Sequence, residues 1–296
     1  MAIQRNKMNA YRKLRSAMLL STTLLCLIPL LSYAKQDDHE IRIISAGGSI
    51  TEILFALDLG DKLVGVDTTS LYPEQAIELP KVGYFRSMGA EGLMSLNPDI
   101  IIAAKGAGPK AALMQVKALG VEVHTYDQAT YTVEAWKELI ISLGSDYSKL
   151  REANQLIEKV TRGLTTQAIE RRYQEKKLNA IVLLSIGQRG PIAAGENTVP
   201  NLLLNLAGIN NLAHELEGYK PFSSELLAKK KIDLVLIPSH VIAGLGGKEA
   251  VCQNQIIKIA MTESCNIYVM DSLLLMGFGA RLDQAVGYII EKANTL

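Results

Sequence analysis

Two stretches carry the side chains best suited to chemistry: Gly47-Gly48-Ser49-Ile50-Thr51-Glu52 and Asp67-Thr68-Thr69-Ser70-Leu71-Tyr72-Pro73. The second follows a short apolar run, Leu63–Val66, that reads as a strand. It therefore places a phenol on a polar turn at a strand end, where α/β proteins collect ligands. A phenolate oxygen is a hard anionic donor that suits a hard metal such as ferric iron. A free phenol has a pKa of about 10, so the metal must displace its proton. A nearby cation would help by favouring the charged form. Tyr72 equally fits an ordinary turn residue preceding Pro73, held extended by the proline.

Enzyme chemistry has little to recommend it. The chain has no nucleophile elbow, Walker loop or His-Glu-x-x-His helix, and Gly106-Ala107-Gly108 is too short for a dinucleotide fingerprint. His39, His124, His214 and His240 are scattered without ligand spacing, which argues against a zinc or manganese site. No enzymatic activity is expected.

Residues 1–34 read as a signal peptide. Arg5, Lys7, Arg12, Lys13 and Arg15 precede an apolar run from Ala17 to Leu31, and Ser32-Tyr33-Ala34 fits a peptidase site before Lys35. Cys26 follows Leu24-Leu25 rather than a small residue, so lipidation is not expected. Removing those five basic residues from 31 leaves 26 against 30 acidic ones, a mature net charge of −4. Nucleic-acid partners, which need a basic face, are thereby disfavoured. Cys252 and Cys265 are the remaining cysteines. Export permits a bridge between them, worth about 3 kcal/mol in the chain-entropy model; two buried thiols are the alternative.

Short apolar runs alternate with helical patterns, which predicts parallel sheets flanked by helices. The strands are Ile41–Ser45, Leu63–Val66, Ile100–Ala104 and Glu122–Tyr126, then Ala180–Ser185, Asp233–Pro238 and Ile267–Asp271. The helices are Ser49–Leu57, Glu91–Leu96, Pro109–Leu119 and Val133–Leu143, then Val199–Ala207, Ser223–Lys230, Lys248–Met261 and Leu282–Ala293. Between the halves, Leu150, Ala153, Leu156, Ile157, Val160, Leu164 and Ala168 step by three and four, as helices do. A helix of roughly 28 residues would be about 40 Å long, enough to run along two lobes. The expected organisation is an α/β lobe over 35–145, a linking helix over 146–177, a second α/β lobe over 178–296, and a ligand cleft between the lobes.

The run from Ile44 to Leu57, with Leu63-Val64-Gly65-Val66-Asp67, resembles the start of helix-linked periplasmic binding proteins of ABC importers. Gly47-Gly48-Ser49, Asp67-Thr68-Thr69-Ser70, Tyr72-Pro73 and Val82-Gly83-Tyr84-Phe85-Arg86 are similar to the haem-binding branch of that class, as are Pro191–Gly195 and Met276–Arg281. The resemblance implies a periplasmic, monomeric carrier that captures ferric haem and delivers it to an inner-membrane ABC permease and ATPase. It implies Tyr72 as axial ligand. Arg86, after a Gly-Tyr turn, and Arg281, after Met-Gly-Phe-Gly, are candidates for the propionates through paired hydrogen bonds, and each equally fits a surface or helix-end charge. Met88 and Met276 are candidates for the porphyrin faces and equally fit ordinary core positions. His240 stands where relatives often carry an arginine, and is a candidate for bonding to Tyr72 or to iron. The Ser185–Gly190 loop lacks the histidine through which some relatives hold a second haem. Glu91 and Glu225 each open a helix, where the dipole favours an acid. The resemblance adds docking on basic pockets of the permease. A ferric-siderophore or corrinoid carrier of the same fold is the alternative.

Overall fold

Parallel strands rich in isoleucine and valine organise the first lobe of the computed structural model, which describes residues 40–171, 177–187, 190–261 and 265–296. The signal-peptide reading of 1–34 lies outside the described residues, as do Gln188 and Arg189 of the 185–190 loop. Strands β1 (Ile43–Ala46), β2 (Leu63–Val66), β3 (Ile100–Ala104) and β4 (Glu122–Tyr126) lie in the order β2-β1-β3-β4, all parallel. Every residue of β1 is buried, as a central strand covered by helices on both faces requires. Because the strands run the same way, the loops that leave them share one edge. Gly47-Gly48, Asp67–Tyr72 and Lys105–Gly108 emerge together there.

The second lobe holds β5 (Asn179–Gly187), β6 (Gly190–Ala194), β7 (Asn210–Asn211), β8 (Tyr219–Pro221), β9 (Leu234–Pro238) and β10 (Ile267–Met270). Their order is β10-β9-β5-β6-β8, with β7 paired to the start of β5. This sheet is mixed rather than purely parallel: β6 and β8 run antiparallel to their neighbours. Both carry a proline (Pro191, Pro221), which removes a ladder donor and hides a strand from pattern reading.

The linking helix spans Leu150–Ile169, shorter than the stretch expected from 146 to 177. The preceding helix, Val133–Asp146, runs on past Leu143, and the chain turns through Ser148 in the left-handed region (φ 56°) before the link begins. Residues 172–176 are not described. Along the link only Ala153, Leu156 and Val160 are fully buried, a narrow stripe. That stripe packs against Val133–Asp146 and Gly48–Ala56 of the first lobe, and against Val199–Ala207 and Leu282–Ala293 of the second. One continuous apolar core results, from Ile43, Ile53 and Trp136 through Val160 to Leu203, Val286 and Ile289. Each fully buried aliphatic side chain contributes about 1.5–3 kcal/mol, so the two lobes share much of their stability. Separate cores cover the outer faces of the two sheets.

The expected helix Lys248–Met261 is two helices, Gly247–Gln253 and Gln255–Ala260, parted at an extended Asn254. Cys252 and Cys265 are joined by a disulfide, their Cα atoms 5.8 Å apart. Among the described residues no helix is long and apolar enough to cross a membrane.

Candidate functional site

Asp67, buried at the end of β2, sets the shape of the loop that follows. Its Oδ1 accepts from the Gly47 N–H (2.8 Å) and the Ser70 hydroxyl (2.7 Å). Its Oδ2 accepts from the Thr69 N–H (2.8 Å) and the Thr69 hydroxyl (2.5 Å). The Thr51 hydroxyl bonds to both Ser45 (2.8 Å) and Ser70 (2.7 Å). Gly47 has φ 118°, and a Cβ on Gly48 would stand 2.5 Å from the Thr69 carbonyl oxygen, so both positions need glycine. The loop is thus fixed up to Ser70. Leu71 and Tyr72 project beyond it, 50% and 40% exposed.

What meets Tyr72 comes from the other lobe. The Arg281 guanidinium carbon lies 3.7 Å from the Tyr72 ring centroid. Its edge is held by Glu52 Oε1, which accepts from Nε at 3.0 Å and also from Nη2. Glu52 Oε2 accepts from the Ala280 N–H at 3.1 Å. Asp271 stands 3.7 Å from the same guanidinium. Burial pushes the Glu52 carboxyl up, and the hydrogen bond and charge of Arg281 pull against it. Two neighbours reinforce the crossing. The Ser49 hydroxyl accepts from the Phe278 N–H (3.0 Å), and Trp136 Nε1 donates to the Gly279 carbonyl (2.8 Å). The site therefore presents one phenol at an open edge with a cation on its face.

The sequence profile of the periplasmic binding protein family matches residues 43–272. The chain belongs to that family. Among solved structures, the periplasmic heme-binding protein BhuT in complex with two hemes is 31% identical, with a TM-score of 0.78 over 86% of this chain and 98% of its own. The periplasmic heme-binding protein HutB of Vibrio cholerae is 31% identical, with a TM-score of 0.77 over 85% of this chain and 98% of its own. A vitamin B12-binding protein of Vibrio cholerae is 31% identical over 204 residues, 68% of this chain and 72% of that protein.

Within this binding-protein fold the other expected site residues scatter. Arg86 is exposed, its guanidinium 5.1 Å from the Phe85 ring. Its charge reaches Tyr219 of β8 in the opposite lobe, whose hydroxyl is pushed up by lost solvation and by Tyr131, with Arg86 opposing. Met88 is not a contact residue: at 1% exposure it belongs to the core between the first sheet and its outer helices. Its unbranched side chain fills that core, as methionine commonly does. Met276 is partly buried against the shared core. His240 sits not in a loop but in the first turn of a helix, Ser239–Gly244. Its Nδ1 bonds to the Ser272 hydroxyl (2.6 Å), and its N–H donates to the same oxygen (3.0 Å). Ser272 follows Asp271, so His240 joins the Arg281 cluster at one remove.

Glu91 is exposed in the first turn of Ala90–Met94. Glu225 is exposed in the first turn of Ser224–Lys229 and pairs with Lys229 at 2.5 Å. Sequence reading passed over Glu52 as one letter of a motif. Its signal was a carboxylate among Ile50, Ile53 and Leu54 on a helix otherwise buried, where a charge demands a partner. An open concavity of about 770 Å³ lies along β4 and the helix Val133–Asp146, lined by His124, Tyr126, Asp127, Glu138 and Asp146. None of the expected site residues lines it. Among the described residues no group of three or more His, Cys, Asp or Glu is placed to hold a metal ion.

Proposed function

We propose that this binding protein is an exported, monomeric carrier that captures ferric haem between its lobes and hands it to an inner-membrane ABC importer. The observation that carries the reading is Tyr72 itself. It is thrust from a fixed loop, partly exposed, with the Arg281 cation against its ring. A tyrosine oxygen is an established donor to the iron of ferric haem. Exposed Leu71 and Tyr84 in the first lobe, and Ile192 and Tyr219 in the second, offer apolar surface of the kind a porphyrin face needs. Arg86, exposed beside the Phe85 ring, is the arginine better placed to take a propionate, since Arg281 is already engaged by Glu52. The heme-binding names of two similar structures support the same cargo. Glu91 and Glu225, one exposed acid on each lobe, are the proposed docking charges for the importer; such charges orient a partner and speed encounter.

The test is to titrate the purified mature protein with hemin. The wild type gives a high-spin ferric spectrum with a phenolate charge-transfer band, and Tyr72→Ala loses the band and most of the affinity. Retention of both by the variant would remove Tyr72 from the iron. A corrinoid carrier is the second reading, favoured by the 31% identity to a vitamin B12-binding protein. Competition between hemin and cobalamin separates the two.

A further inference from the structure

We propose that the concavity beside β4 is a peptide-binding groove, in which an extended basic segment of a partner protein adds a strand to the first sheet. β4 is the outer strand of that sheet, in the order β2-β1-β3-β4. The Glu122 N–H donates to the Asp99 carbonyl, and the Tyr126 carbonyl accepts from the Lys105 N–H, so both residues turn their backbone toward β3. Val123 and Thr125 alternate with them and turn their N–H and C=O groups outward. Sheet edges are normally blunted by lysine, proline, a bulge or a covering segment. The other edges here follow that rule. Pro80 and Val82 bond to Val66 of β2, Pro221 interrupts β8, and the Tyr288 hydroxyl donates to the Val269 carbonyl of β10. The Glu122–Tyr126 run has neither lysine nor proline and keeps an unbroken register with β3. Among the described residues no backbone group bonds to Val123 or Thr125 from the outer side.

Charge selects the occupant. The groove, about 770 Å³, has residues 124–128 on one side and Glu138, Ser142 and Asp146 of the helix Val133–Asp146 on the other. No lysine or arginine lines it. Lys105, beside it, is already paired with Asp127 at 2.7 Å. Asp146 Oδ2 accepts from the Tyr126 hydroxyl (2.6 Å), and His124 Nδ1 bonds to the Tyr147 hydroxyl (2.7 Å). These ties between strand and helix set the width of the groove before anything enters, which limits the ordering cost of binding. Glu138, Ser142 and Asp146 step by four along an exposed face. From Glu138 to Asp146 the helix rises about 12 Å. Side chains four residues apart on a strand are about 13 Å apart. A strand paired to β4 therefore sets one cation against each carboxylate, with the residue between them at Ser142. Such an added strand takes its affinity from main-chain bonds and its specificity from alternate side chains. None of the residues proposed for haem lines this groove, so its occupation does not depend on the cargo.

The experiment titrates the mature protein with a capped six-residue peptide alternating lysine and valine, and follows amide hydrogen exchange in the complex. Binding should slow exchange of the Val123 and Thr125 N–H groups by about tenfold or more. Of two versions N-methylated on alternate residues, the one whose methyl groups point at β4 loses its main-chain bonds and should bind about tenfold more weakly. The other should bind as the parent does. A peptide alternating glutamate and valine should not bind. Thr125→Pro removes one outward N–H, a change that edge strands tolerate, and should weaken the lysine peptide by about tenfold without altering hemin affinity. Glu138→Lys, on the exposed helix face, should weaken it by a similar factor through like-charge repulsion, and keeps the test intact should Thr125→Pro fold poorly. Failure of the lysine peptide to bind would overturn the proposal, as would binding that leaves Val123 and Thr125 unprotected. Equal affinity for both N-methylated versions would exclude strand addition, and equal affinity for the glutamate peptide would exclude a basic partner.

Discussion

Asp67→Asn tests whether the ligand loop is held by charge or merely by shape. The substitution is isosteric, so packing at the end of β2 is unchanged. Each carboxylate oxygen accepts one backbone N–H and one hydroxyl. The hydroxyls can rotate to suit an amide, but the N–H groups of Gly47 and Thr69 cannot. Whichever way the asparagine turns, its NH₂ faces one of them. The less costly choice strands the partly buried Thr69 N–H and spares the fully buried one of Gly47. One unsatisfied donor costs about 1–3 kcal/mol, and at about 2–4 °C per kcal/mol for a chain of this size the melting temperature should drop by about 2–12 °C. Asp67→Ala strands both donors and should cost about twice as much. Because Tyr72 hangs from this loop, hemin affinity should fall together with stability. The assays are thermal and denaturant unfolding of the apo protein, then hemin titration. An Asp67→Asn protein as stable as the wild type would refute the argument that these four bonds shape the loop.

Three further outcomes are expected. Cys252→Ser/Cys265→Ser should lower unfolding stability by about 3 kcal/mol while leaving hemin affinity unchanged, since the bridge lies in the second lobe's outer core; a chemical denaturation series checks the first and hemin titration the second. Burial pushes the Asp283 carboxyl up, and its Oδ1 is without a hydrogen-bond partner among the described residues. The folded state therefore holds that proton more tightly than the unfolded chain, so stability should fall as pH rises from about 3.9, the unfolded value, through the raised folded one. Asp283→Asn should flatten that limb in a series of melts against pH. Glu91→Lys/Glu225→Lys should bind hemin as the wild type does but fail to supply haem to membrane vesicles containing the importer; undiminished uptake would exclude these acids from docking.

The phenol on its strand-end turn was legible because the signals are local: a short apolar run, then a polar cluster, then proline. The parallel sheet of the first lobe was legible for the same reason, β1 to β3 being short apolar runs and β4 a short branched and aromatic one. Arg281 against Tyr72 was not legible, because the pairing that places it, Glu52 with Arg281, spans 229 residues. Met88 read as well for a porphyrin face as for core, and the chain tucks it inward, its N–H on the Gly108 carbonyl. The antiparallel strands β6 and β8 were hidden by their prolines and by their brevity. The linking helix was overextended because its apolar spacing starts close behind that of Val133–Asp146, and only Ser148 marks the turn between them.

The shared core bears on how cargo is sorted. Trp136 is buried in it and bonded across to Gly279, and the linking helix contributes its stripe to the same mass. Walls joined through one packed interior resist being spread apart. On the proposed function, a flat macrocycle should then be favoured over a rounded chelate, which would have to wedge apart that interior. Release would then call for the importer to work against that shared core.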